Sequence, residues 1–132
     1  MSMSKQMRAE TIRAYLSEEG YAPKTDADGD LIFKFEGGAY IIIVDEQDQE
    51  FYRIIYPNFW SIDSDAERAQ VVKACEAATG KTKVAKVYTV KNDTWACIEM
   101  FMASPEHMNL VFKRSMSALR GAVQNFREVM QA

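Results

Sequence analysis

Residues 31–44 constrain the fold more than any other stretch of this chain. LIFKFE and AYIIIV flank Gly37-Gly38, and two β-rich runs joined by a glycine pair predict a hairpin, because a two-residue primed turn needs the positive φ that glycine supplies without steric penalty. With that turn, Phe35 faces Tyr40, Phe33 faces Ile42 and Leu31 faces Val44, so one sheet face is continuously apolar and aromatic. The other face carries Ile32, Lys34, Glu36, Ala39, Ile41 and Ile43. It is too apolar to be simply solvated and too charged to be deep core, so it is expected to meet a second layer or a partner.

The remaining elements follow from pattern and punctuation. Residues 4–19 predict a helix with Met7, Thr11, Ile12, Tyr15 and Leu16 on one stripe, Ser4 as cap and Gly20 as stop. A polar turn, 25–30, precedes the hairpin, and an acidic loop, 45–50, separates it from a third strand at 51–56 whose faces the pattern leaves open. Ser64 and Glu67 have capping-box spacing, opening a helix to about Thr79 with Ala66, Ala69, Val72, Cys75 and Ala78 as a small-residue stripe and Gly80 as its stop. Residues 84–90 and 94–102 read as strands around a turn at 91–93. Ser104-Pro105-Glu106 starts a closing helix on which Phe112, Met116, Leu119, Val123, Phe126 and Met130 form one broad apolar face. The order is α-β-β-β-α-β-β-α, an α+β fold.

At 132 residues and 48% hydrophobic composition, residues 1–132 are expected to form a single domain that needs neither disulfide nor structural metal. Cys75 and Cys97 have no C-x-x-C spacing and His107 is the one histidine, which argues against a zinc centre. No phosphate loop, dinucleotide fingerprint or nucleophile elbow is present. No apolar run approaches the ~20 residues of a membrane helix, and the charged, amphipathic start lacks the apolar core of a signal peptide. A cytoplasmic, reduced protein is expected.

The segment DADGDLIFKFEGGAYIIIVDEQDQEFYRIIYP, a short helix, and then KVAKVYTVKNDTWACIEMFMASPEHMNLVFKRSM resembles the YbjN family of bacterial sensory transduction regulators across nearly the whole chain. The shared features are the Asp/Gly turn into the first strand, the acidic turn after the second, the Lys-Val-Tyr type fourth strand and the long closing helix. Residues 77–81 depart from it, lacking the asparagine that many members carry before the fourth strand. That family looks like the class I chaperones of type III secretion, with a five-stranded antiparallel sheet and three helices in this order, usually as homodimers. The resemblance implies a small cytosolic dimer acting through protein contacts, and it brings no catalytic residue and no cofactor.

Four constellations of residues have a chemical reading beside a structural one. Asp26, Asp28 and Asp30 alternate as in a calcium loop, but glycine is fourth rather than sixth and no glutamate stands twelfth, so solvated turn residues are the expected reading and no metal is assigned. Cys97 with His107 would make a nucleophile and base only if the thiol were activated, and a mid-strand cysteine among Trp95, Ala96 and Ile98 reads as core instead. Lys81, Lys83, Lys86 and Lys91 near Tyr88 and Trp95 suggest nucleic acid, yet lysines more commonly blunt a sheet edge. Tyr56, Phe59 and Trp60 sit in a loop-proximal aromatic cluster that suits either a core plug or an interface anchor.

The expected function is therefore a non-enzymatic protein-binding module that holds a partner segment as a homodimer, with no nucleic acid and no membrane. Its surface candidates are Ile32, Ile41, Ile43, Tyr56, Phe59 and Trp60. The alternative is a small-ligand sensor or enzyme using a pocket between the closing helix and the sheet. Net charge is −3, but residues 1–66 carry 6 Lys/Arg against 13 Asp/Glu and residues 67–132 carry 10 against 6, placing an acidic tip on the meander and a more basic flank elsewhere.

Overall fold

The hairpin forms with its turn one residue earlier than the glycine pair suggests. In the computed structural model, which describes residues 3–132, β2 (Leu31–Phe35) and β3 (Gly38–Val44) are joined by Glu36 and Gly37, with φ 46° and 84°. Both central residues are left-handed, as the primed hairpin turn requires, and Gly38 becomes the first residue of β3. The pairs are Leu31 with Ile42, Phe33 with Tyr40 and Phe35 with Gly38, two positions from the expected register. An even slip leaves every side chain on its expected face. Leu31, Phe33, Tyr40, Ile42 and Val44 are buried, while Ile32, Lys34 and Ala39 are exposed.

The described residues form an α+β fold with three helices and one antiparallel sheet, but the sheet has six strands, not five: β1-β2-β3-β4-β6-β5. The additional strand, β1 (Lys24–Thr25), pairs with Ile32 and Leu31. Two residues carry no periodicity, so this strand lies inside what the sequence shows only as a polar turn. β4 (Phe51–Tyr56) aligns Tyr52 with Val44 and Ile54 with Ile42, which puts Tyr52 and Ile54 on the aromatic face and Arg53 and Ile55 on the other.

Two compact units divide the chain, one of residues 1–55 and 99–113, the other of 56–98 and 114–132. In the first, helix α1 (Lys5–Glu18) starts on the Ser4 side chain and ends at Gly20, φ 94°. Gly20 N–H donates to Ser17 O and Tyr21 N–H to Leu16 O, the paired bonds of a Schellman ending. Tyr21 then packs on Phe33 and Phe112. The buried face of α1 is Arg8, Ala9, Ile12 and Leu16, whereas Met7, expected on it, is 56% exposed. A single 3-10 turn, Pro105–His107, leads into helix α3, Met108–Gln131, where Met108 and Phe112 are fully buried.

In the second unit, α2 (Asp65–Lys81) is capped by Ser64, which accepts from Glu67 N–H, while Glu67 Oε1 accepts from Asp63 N–H. The helix passes through Gly80 to Lys81, and its buried face is Val71, Ala74, Cys75 and Ala78 rather than one including Ala66, Ala69 and Val72. An alanine-rich helix offers more than one small-residue stripe, so pattern alone does not fix its rotation. β5 (Ala85–Val90) and β6 (Asp93–Phe101) meet across Lys91 and Asn92, with Lys91 at φ 55°. Val84 stays outside β5, 74% exposed at φ 54°. Thr79 Oγ1 accepts from Val87 N–H at 2.9 Å and donates to Val87 O at 3.3 Å, so α2 satisfies backbone groups of the outermost strand that would otherwise be an open edge. From α3, Met116, Leu119, Ala122, Val123 and Phe126 are buried.

Candidate functional site

The expected contact residues fall into two groups. Ile32 is paired with Ile41, and Ile43 follows two positions along β3 on the same face. Ile32 is 37% exposed, and Ile41 and Ile43 are half-buried. This patch faces away from the aromatic core of the hairpin. Tyr56, Phe59 and Trp60 form the other group. Tyr56 and Phe59 stack at 5.6 Å and 2°, and Phe59 and Trp60 each make a T-shaped contact with buried Phe126, at 5.2 and 5.6 Å. The loop is held by Phe59 N–H to Thr94 O, Thr94 Oγ1 to Trp60 O, and Trp60 Nε1 to Glu67 Oε2. Phe59 and Trp60 thus close over the core at Phe126 while staying half-buried.

The aspartate turn is stapled from within. Asp26 Oδ1 accepts from Asp28 N–H and Asp30 N–H, both at 2.9 Å, the Asx-type geometry that alternating aspartates favour. Asp30 is buried, accepts from Val44 N–H at 3.0 Å and holds Lys5 Nζ at 3.1 Å. The three carboxylates lie within 4.8 Å of one another, and the resident positive charge is the Lys5 ammonium. Asp26, Asp28 and Glu46 border one cleft, so the turn and the acidic loop do share one sheet end.

Neither thiol is prepared for nucleophilic work. Cys75 and Cys97 are both buried and neither is in a disulfide, and burial pushes the Cys75 thiol up to about 11. His107 is exposed in its 3-10 turn. Lys86 lies 5.8 Å over the Tyr88 ring, and Lys81, Lys83 and Lys91 are exposed.

The side chain that sequence reasoning passed over is Arg8, only 1% exposed. Its Nη2 donates to Asp45 O at 2.7 Å and its Nε to Met3 O at 3.3 Å, and the guanidinium lies 5.7 Å over the Tyr52 ring. Nη1 is buried with no acceptor among the described residues. The nearby Asp45 carboxylate is held below the usual range, chiefly by the Asp48 N–H it accepts, with Arg53 and Arg8 adding to the effect. Arg8 lines a cleft of about 730 Å³ bounded by Met3, the 47–50 stretch and residues 103–105. The signal was available: Arg8 stands four residues before Ile12 and eight before Leu16, on their face of the helix.

No protein-family description matches this chain, and no curated protein matches it. Among solved structures, it is similar to an uncharacterized protein from Methanothermobacter thermautotrophicus, with a TM-score of 0.55 and 16% identity over 94% of each chain. At that identity the likeness is one of fold alone.

Proposed function

We propose that this chain is a non-catalytic, cytoplasmic protein-binding module that pairs with a second copy of itself and holds a segment of a partner protein. The resemblance of its sequence to YbjN-type regulators, and through them to type III secretion chaperones, motivates that reading. The observation that carries it is the apolar patch of Ile32, Ile41 and Ile43 on the hairpin face opposite the aromatic core. Large apolar groups clustered on an outer face are the usual anchors of association. The half-buried edges of Tyr56, Phe59 and Trp60 are the second contact we assign, since aromatic side chains dominate interface energetics.

Multi-angle light scattering on the purified chain tests the pairing. A mass of twice 15.0 kDa is the expected result. Fluorescence of a Trp95→Phe variant, in which Trp60 is the remaining tryptophan, followed on dilution, tests whether the aromatic loop takes part. A strict monomer at every concentration would remove the dimer.

A further inference from the structure

A buried guanidinium without its full set of acceptors is expensive, because the ion loses water and regains too few partners. Arg8 spends Nε and one Nη2 hydrogen on backbone carbonyls and leaves Nη1 unpartnered among the described residues. No salt bridge joins it to a carboxylate among those residues, although it borders an open cleft. A planar, charged fork with spare donors matches a carboxylate, which takes two parallel N–H bonds. Ser104, also in the lining, makes no side-chain capping bond, so its hydroxyl is a further donor.

The rest of the lining narrows the class. Asp48 and Glu50 are exposed and bring two negative charges to the same cleft. Asp48 Oδ1 accepts from Glu50 N–H at 3.0 Å, which leaves its other lone pairs available. A phosphate dianion would meet both carboxylates with like charge, whereas a ligand carrying one carboxylate and one ammonium satisfies both signs. The volume, about 730 Å³, lies within the ~300–1,000 Å³ of small-molecule sites. We propose that this cleft binds a small zwitterionic carboxylate of the amino-acid class, its carboxylate on the Arg8 guanidinium and its ammonium on Asp48 and Glu50. With Nη1 covered, the incoming carboxylate displaces the Met3 carbonyl that accepts from Nε and takes its place on the fork. Met3 N–H is tied to Gln49 Oε1 at 3.1 Å, so the amides of Met3 and 47–50 report binding.

The test is a two-dimensional ¹H–¹⁵N NMR titration of the whole chain with single L-amino acids, acetate, methylamine and inorganic phosphate. The expected result is saturable shifts of the Arg8 Nε–H and the 47–50 amides by at least one amino acid. Acetate and methylamine should each bind at least ~10-fold more weakly, the effect of losing one charged contact, and phosphate no more tightly than acetate. Glu50→Gln, at an exposed position, should weaken the amino acid ~10-fold, and Arg8→Lys, which keeps charge but loses the fork, by at least as much. If Arg8→Lys does not fold, Glu50→Gln and Asp48→Asn decide. The proposal is overturned if no amino acid produces these shifts, if phosphate or acetate binds as tightly as the best amino acid, or if the acidic-side variants bind it unchanged.

Discussion

Replacing Phe112 should damage the fold more than any change at an exposed aromatic. The ring is fully buried and meets Tyr15 at 5.9 Å, Tyr21 at 5.6 Å and Phe33 at 5.5 Å. Phe112→Ala removes a buried aromatic and leaves a cavity, for a loss of about 3–5 kcal/mol. Three ring contacts, each worth about 0.5–1.5 kcal/mol beyond burial, place the expected value at the upper end. Against a total stability of about 5–15 kcal/mol, that is a third or more. Phe112→Leu keeps most of the volume and loses the rings, so about 1–2 kcal/mol is expected. Phe101, 78% exposed and 5.8 Å from Phe51, is the control, and Phe101→Ala should stay within about 0.5 kcal/mol. Urea unfolding followed by far-ultraviolet circular dichroism gives all three values, with an unchanged m-value marking a stability effect. A loss below about 1.5 kcal/mol for Phe112→Ala, or one equal to that of Phe101→Ala, would refute this account of the core.

Further outcomes are expected at Asp30, the two cysteines and Thr79. Asp30→Ala strands both Val44 N–H and the Lys5 ammonium and should lower stability by about 2–4 kcal/mol in thermal melts, while millimolar calcium should leave wild-type melting unchanged because Lys5 already answers the Asp30 charge. Both cysteines should resist a mild thiol reagent until the chain unfolds. The Cys75 thiol, raised from 9.0 to about 11 in the folded chain, contributes stability that is complete below pH 9.0 and falls between 9.0 and 11; urea midpoints across that range should drop in wild type and drop less in Cys75→Ala. Thr79→Val removes both bonds to Val87 and should cost about 1 kcal/mol, read as faster amide exchange at Val87.

Particular residues show what the sequence could and could not reveal. The hairpin faces were legible because alternation has a period of two, and the two-position slip in register preserved them. The slip arose because Glu36 takes a left-handed conformation, which residue type does not advertise. The closing helix was legible from its 4-3-4 spacing, with Met130 half-buried in its last turn. β1 was invisible because two residues make no pattern, and α2 was rotated because alanines fit more than one face. Arg8 was missed because arginine is expected in water, although its spacing to Ile12 and Leu16 placed it inward. Of the proposed contacts, Ile32 lay where alternation put it, whereas the packing of Phe59 and Trp60 on Phe126 depends on a long-range contact that no local pattern encodes.

The proposed pairing through the hairpin's outer face is tested most directly by sedimentation equilibrium of wild type beside Ile32→Glu. Ile32 is partly exposed and registers with Lys24 across the strand pair, so a glutamate there gains an opposite-charge neighbour and leaves the sheet intact. Wild type at twice 15.0 kDa and Ile32→Glu at the single-chain mass, with unchanged circular dichroism, is the result this account predicts. A wild-type chain that sediments as a monomer at every concentration, or an Ile32→Glu chain that dimerises as tightly as wild type, would contradict it.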